Sequence, residues 1–187
     1  MTQDLLEELA SLPTVTAPTV SPDGSRIAMY YDGTGRNELH VLDVESGSHS
    51  QWSDGDVPRT PMYPVFWAPD GDRLYYHNDE DGDEQNDIFT VAQDGSTECL
   101  VELDGQIWIQ DIGEDGDTIL FTSTADGQMN LYTHSLEAGV TKQITDHDRA
   151  VMQGVLSPDC THVAYGTNES DSFENVDVFT ATVDGEN

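Results

Sequence analysis

Serine nucleophile chemistry needs a serine raised on a strained strand-to-helix elbow, Gly-x-Ser-x-Gly, with a histidine and a carboxylate to activate it. No such pentapeptide occurs, and Ser25, Ser48 and Ser96, which each follow a glycine, sit in contexts that read as turns. The acidic run NDEDGDEQND at 78–87 invites a calcium reading. Counting from Asp79 gives oxygen ligands at Asp81 and Asp83, but then Glu84 where such a loop wants glycine and Thr90 where it wants glutamate. A solvated acidic loop is the better account. His40, His49, His77, His134, His147 and His162 make no His-x-x-x-His pair and no cluster with Cys99 or Cys160, which are expected as free thiols. With 37 acidic residues, some carboxylate pair falls at a glycosidase spacing by chance, and none stands out as an inward, apolar-flanked pair. The expectation is therefore no catalytic, cofactor-binding or metal-ligating residue, and no cofactor.

The elements that carry these side chains form a repeat. SPDG at 21–24 returns as APDG at 68–71, GEDG at 113–116 and SPDC at 157–160. An apolar stretch precedes each turn: VTAPTV, MYPVFW, IWIQDI and VMQGVL. A short strand follows it: SRIAMY, DRLYYH, DTILFT and THVAYG. After a polar loop comes a third strand, NELHVLD, NDIFTVA, NLYTHSL or VDVFTAT, and then a fourth, HSQW, ECLVEL or TKQIT. Proline presets the turn's second position and glycine closes it, so each motif fixes a hairpin. Four strands per repeat of this length is the pattern of a β-propeller blade. His40 takes the third-strand slot held by Phe89, Tyr132 and Phe179, and Trp52, Trp67 and Trp108 lie where they can pack between blades.

The expected fold is all-β: a partial propeller over 15–187, with blades at about 15–57, 62–104, 107–148 and 151–187, the last incomplete. Residues 1–14 are expected as a lead-in with a short amphipathic helix, Leu5, Leu6, Leu9 and Leu12 on one stripe, ending near Pro13. Three blades and most of a fourth form an open arc, as in the front part of a longer protein, and its exposed blade edges could self-associate.

Six basic residues against 37 acidic ones give a formal net charge of −31, and Lys142 is the single lysine. Such a surface repels nucleic acid and anionic lipid. The acid is spread along the whole chain, as expected of a protein adapted to molar salt. The opening MTQDLLEELASL has no signal-peptide pattern, and no apolar run approaches the roughly 18 residues of a membrane span. The expectation is a cytoplasmic protein with neither nucleic acid nor membrane as partner.

SPDGSRIAMYYDGTGRNELHVLDVESG and APDGDRLYYHNDEDGDEQNDIFTVAQDG resemble the propeller repeat of the TolB and dipeptidyl-peptidase class. With DLLEELASLPTVTAPTVSPDG at the start, the arrangement is similar to the N-terminus of prolyl-oligopeptidase-type (S9) serine peptidases. The resemblance implies a seven- or eight-bladed propeller that filters access of peptide substrates to a C-terminal α/β-hydrolase domain absent from this chain. Some relatives hold a substrate's amino terminus with paired propeller glutamates. Glu7 and Glu8 are adjacent but lie in the leading helix, so that role is not carried over. A TolB-like module that only binds a protein or ligand is the alternative, and the chain alone is expected to hydrolyse nothing.

Overall fold

Each of the four turns closes with an amide of its last residue donating to the carbonyl three residues back: Gly24 to Ser21, Gly71 to Ala68, Gly116 to Gly113 and Cys160 to Ser157, at 2.8–3.0 Å. That last residue has positive φ in every copy, 74° at Gly24 and 53° at Cys160, so glycine suits the slot and the cysteine holds it against its own preference. The aspartate before it clasps the next strand. Asp23 accepts from the Ser25 amide and Asp159 from the Thr161 amide, while Ser21 and Ser157 donate their hydroxyls to the same carboxylates. These hydroxyl bonds, Ser21 on Asp23 and Ser157 on Asp159, lead in holding both carboxylates at about pKa 2.

The computed structural model describes residues 9, 11–79, 85–169 and 175–185. The first sheet contains β1 (Val15–Val20), β2 (Arg26–Tyr31), β3 (Glu38–Asp43) and β4 (His49–Gln51). The second contains β5 (Phe66–Trp67), β6 (Arg73–Asn78), β7 (Asp87–Ala92) and β8 (Thr97–Val101). The third contains β9 (Ile107–Ile112), β10 (Thr118–Ser123), β11 (Asn130–Ser135) and β12 (Val140–Gln143). β13 (Val151–Leu156), β14 (His162–Thr167) and β15 (Asp177–Thr182) make the fourth. Every sheet is an antiparallel meander in chain order and none closes on itself, which is an open arc of propeller blades. The helix expected near residues 3–12 lies mostly outside the described residues; of its stripe, Leu9 and Leu12 are described and both are exposed. No helix among the described residues is long and apolar enough to cross a membrane.

The core lies between successive sheets. Ala28, Tyr30, Leu39 and Val41 of the first sheet meet Leu74, Tyr76, Phe89 and Val91 of the second. Tyr75 and Ile88, on the second sheet's other face, meet Ile119, Phe121 and Tyr132. Leu120 and Leu131 then meet Val163, Tyr165 and Ala181. Strand alternation thus gives each middle sheet two buried faces, and each fully buried large apolar side chain contributes about 1.5–3 kcal/mol. Trp52 and Trp67 pack edge to face at 5.8 Å across the first of these seams. Arg26 lies over the Trp67 ring, 4.9 Å from its centroid, and Gly71 leaves it room, since a Cβ there would meet Arg26 Nη2 at 2.6 Å.

Candidate functional site

The inner strands differ between sheets. β1, β9 and β13 each run six residues, whereas β5 has two. MYPVFW reads as an inner strand like the others, but β5 pairs with β6 only at Phe66↔Tyr75 and Trp67↔Leu74. The stretch before it, DVPRTPMYPVFW, carries Pro58, Pro61 and Pro64. A proline has no N–H to give a ladder. In the other sheets the equivalent stretch pairs as Val15↔Tyr31, Ile107↔Ser123 and Val151↔Thr167. In the second it forms no ladder with β6 ahead of Phe66, and a cavity of about 320 Å³ opens there.

Tyr30, Pro58, Met62, Tyr63 and His77 form the less polar part of its lining, and Thr60, Asp79, Asn86 and Gln106 add hydrogen-bonding groups. Tyr63 packs on the His77 ring at 5.0 Å and against Trp108 at 6.5 Å. His77 is 2% exposed. Its Nε2 accepts the Ile109 amide at 2.8 Å, so the neutral ring carries its proton on Nδ1, and that atom is buried without a partner. Burial pushes the His77 pKa down to about 4, which keeps this tautomer uncharged at neutral pH. The His77 ring, with Nδ1 buried, lines the cavity beside the side chains of Asn86, Gln106 and Asp79.

The residues weighed for chemistry fall elsewhere. Ser25 Oγ donates to Asp23, Ser96 Oγ to Asp94, and Ser48 Oγ pairs with Ser46 Oγ, so all three serve their own turns. Cys99 is exposed; Cys160 is buried, and burial raises its thiol pKa. His40 is buried between Tyr31 and His49 with neither ring nitrogen partnered, and burial first, then the charge of His49, lowers its pKa. His134, His147 and His162 bond Thr141, Tyr165 and Thr161. Glu7, Glu8 and residues 80–84 of the acidic loop lie outside the described residues. Among the described residues no group of three or more His, Cys, Asp or Glu is placed to hold a metal ion. The repeat pattern does not mark His77 and Tyr63 as a site. The Pro-x-x-Pro-x-x-Pro spacing ahead of Phe66 was the available signal.

A family model, the TolB beta propeller domain, matches residues 6–185. The chain belongs to that family. No curated protein matches it. Among solved structures, this TolB-type propeller is similar to a protein assigned as TolB from Agrobacterium tumefaciens, with a TM-score of 0.70 and 24% identity over 91% of this chain. An oligogalacturonate lyase from Vibrio parahaemolyticus matches with a TM-score of 0.72 and 14% identity over 95% of the chain. A protein assigned as a dipeptidyl aminopeptidase IV from Bacteroides ovatus matches at 0.67 and 13% over 94%. The chain spans 62%, 53% and 28% of those three proteins' lengths. Identities this low speak for the shared fold alone.

Proposed function

We propose that this TolB-type propeller is the non-catalytic, substrate-sorting part of a larger S9-type serine peptidase, limiting which polypeptides reach a hydrolase domain carried outside these residues. The observation that carries it is the pairing of a peptidase-like repeat arrangement with hydroxyls committed to turn hydrogen bonds: Ser25, Ser48 and Ser96 are clasps, not nucleophiles. The likeness to the Bacteroides ovatus protein, of which the chain spans 28%, also supports it. A blade ring suits such a role, because its channel admits chains by size while its faces stay packed. Being mostly bonded side chains and apolar seams, the scaffold supplies shape rather than reactivity.

A second reading, a TolB-like module that binds a protein or ligand, is favoured by the family match over residues 6–185. One experiment separates them. The full reading frame containing these residues is expressed and treated with a fluorophosphonate probe for activated serines, beside the 187-residue chain. Labelling of the long product alone, at a Gly-x-Ser-x-Gly outside these residues, is the expected result. A long product without labelling or elbow would overturn the peptidase reading in favour of the binding module.

A further inference from the structure

In the first, third and fourth sheets the lane beside the second strand is filled by a six-residue inner strand, while in the second sheet the ladder stops at Tyr75. His77 and Asn78 thus have β7 partners, Ile88 and Asp87, but no inner-strand partner in the ladder. The lane is a cavity whose lining includes a buried imidazole with an unpartnered Nδ1–H.

Three properties narrow the ligand. An anion meets Asp79 in the lining and a chain of net charge −31, so carboxylates and phosphates are disfavoured. A bare cation would find Asp79 but also the amide side chains of Asn86 and Gln106. A group with alternating donors and acceptors along an extended line matches both the side chains and the edge of β6, and that is a polypeptide backbone. A strand residue takes a slot of roughly 3.3 by 4.8 by 10 Å, so a cavity of about 320 Å³ takes about two residues.

We propose that this gap binds a short extended peptide, seated along β6 where the second sheet lacks the rest of its inner strand, with its backbone pairing on His77 as Thr16 pairs on Tyr30. The site needs no hydrolase domain, so it stands apart from the access-filter reading. Tyr63 and Met62 flank the seated side chains. The prolines create the site by keeping the chain's own segment out of the lane.

The test uses the 187-residue chain in molar KCl, followed by 15N NMR, with the blocked, uncharged peptide acetyl-Val-Thr-amide. That peptide copies Val15 and Thr16, which pair with Tyr31 and Tyr30 in the first sheet. The expected result is shifts at the His77, Asn78 and Asn86 amides and at the His77 ring nitrogens. Binding should weaken at least tenfold in two variants. P61V/P64V restores two N–H groups so that the inner strand can close the lane, and T60W fills the cavity from an exposed position. Shifts at β15, the outer strand of the fourth sheet, instead, binding that survives both variants, or no binding by the peptide would each overturn the proposal. Shifts at these residues from maltose and not from the peptide would reassign the gap to polyols and overturn it as well.

Discussion

His77 ties one residue's packing to the pH range in which the protein is stable. Its pKa is lowered by burial from an ordinary 6.5 to about 4. The unfolded chain takes up this proton near pH 6.5 and the folded chain only near 4, so between them the unfolded state holds more protons. Stability therefore falls as the pH drops through that window, by about 3 kcal/mol once it is below about 4. His40 and His134, both lowered first by burial, act in the same direction. H77Q keeps an acceptor for the Ile109 amide and removes one titration, so its urea midpoint should decline less between about pH 7 and about pH 4 than that of the wild type. Equal slopes would show that His77 is not the group responsible. Asp23 and Asp159 behave oppositely: held at about 2, they favour the fold above the usual carboxylate range and lose that contribution only as the pH falls toward 2, a separate and more acidic window.

At the scale of elements, each blade must stop its outer strand from fraying, and two blades do so with one hydroxyl. Ser53 Oγ accepts the Leu39 amide and donates to Glu38, a buried carboxylate that also takes the Gly55 amide and pairs with Arg36 at 2.9 Å. Thr145 does the same in the third blade, accepting from the Leu131 amide and donating to Asn130, which also receives the His147 amide. In the second blade Ile88 pairs with Val101, so the matching position is Glu102, an exposed carboxylate with no hydroxyl to donate. Removing the hydroxyl strands a buried amide and its partner, so T145A and S53A should each cost about 1–3 kcal/mol, and T145S under about 1. Chemical unfolding decides it, and a T145A loss no larger than that of T145S would mean that the hydroxyl bonds add nothing. This clasp also shows what could be read in advance. The turn motifs were legible because proline, aspartate and glycine each have a backbone job that recurs at every copy. The clasp was not, since Ser53, Glu102 and Thr145 share no residue type. The shortened β5 was hidden inside an apolar run whose prolines outweighed its pattern, and His77 sits in a slot occupied by Tyr30, Thr122 and Gly166 in the other copies.

For the whole molecule, two opposed forces share one control, the salt concentration. The net charge of −31 repels itself over about 30 Å at 0.01 M salt and about 3 Å at 1 M. That repulsion opposes compaction, and it equally keeps two copies apart. Against it stands the outer face of the fourth sheet. Val178 is 79% exposed there, whereas Leu39, Ile88 and Leu131 in the matching slots of the other blades are fully buried against the next blade. Met152, Val155 and Val176 are exposed as well. A face shaped to be covered by a blade should attract another sheet once repulsion is screened. Raising KCl from about 0.05 M to about 1 M should thus lift the urea midpoint and, at the same concentrations, increase the mass seen by light scattering. V178E separates the two effects, because it adds a charge to an exposed position without touching a seam. It should remain a monomer at high salt while its midpoint still climbs. If V178E associates as strongly as the wild type, the contact lies at another edge; if the wild-type midpoint does not move with salt, self-repulsion is too weak to govern either folding or association.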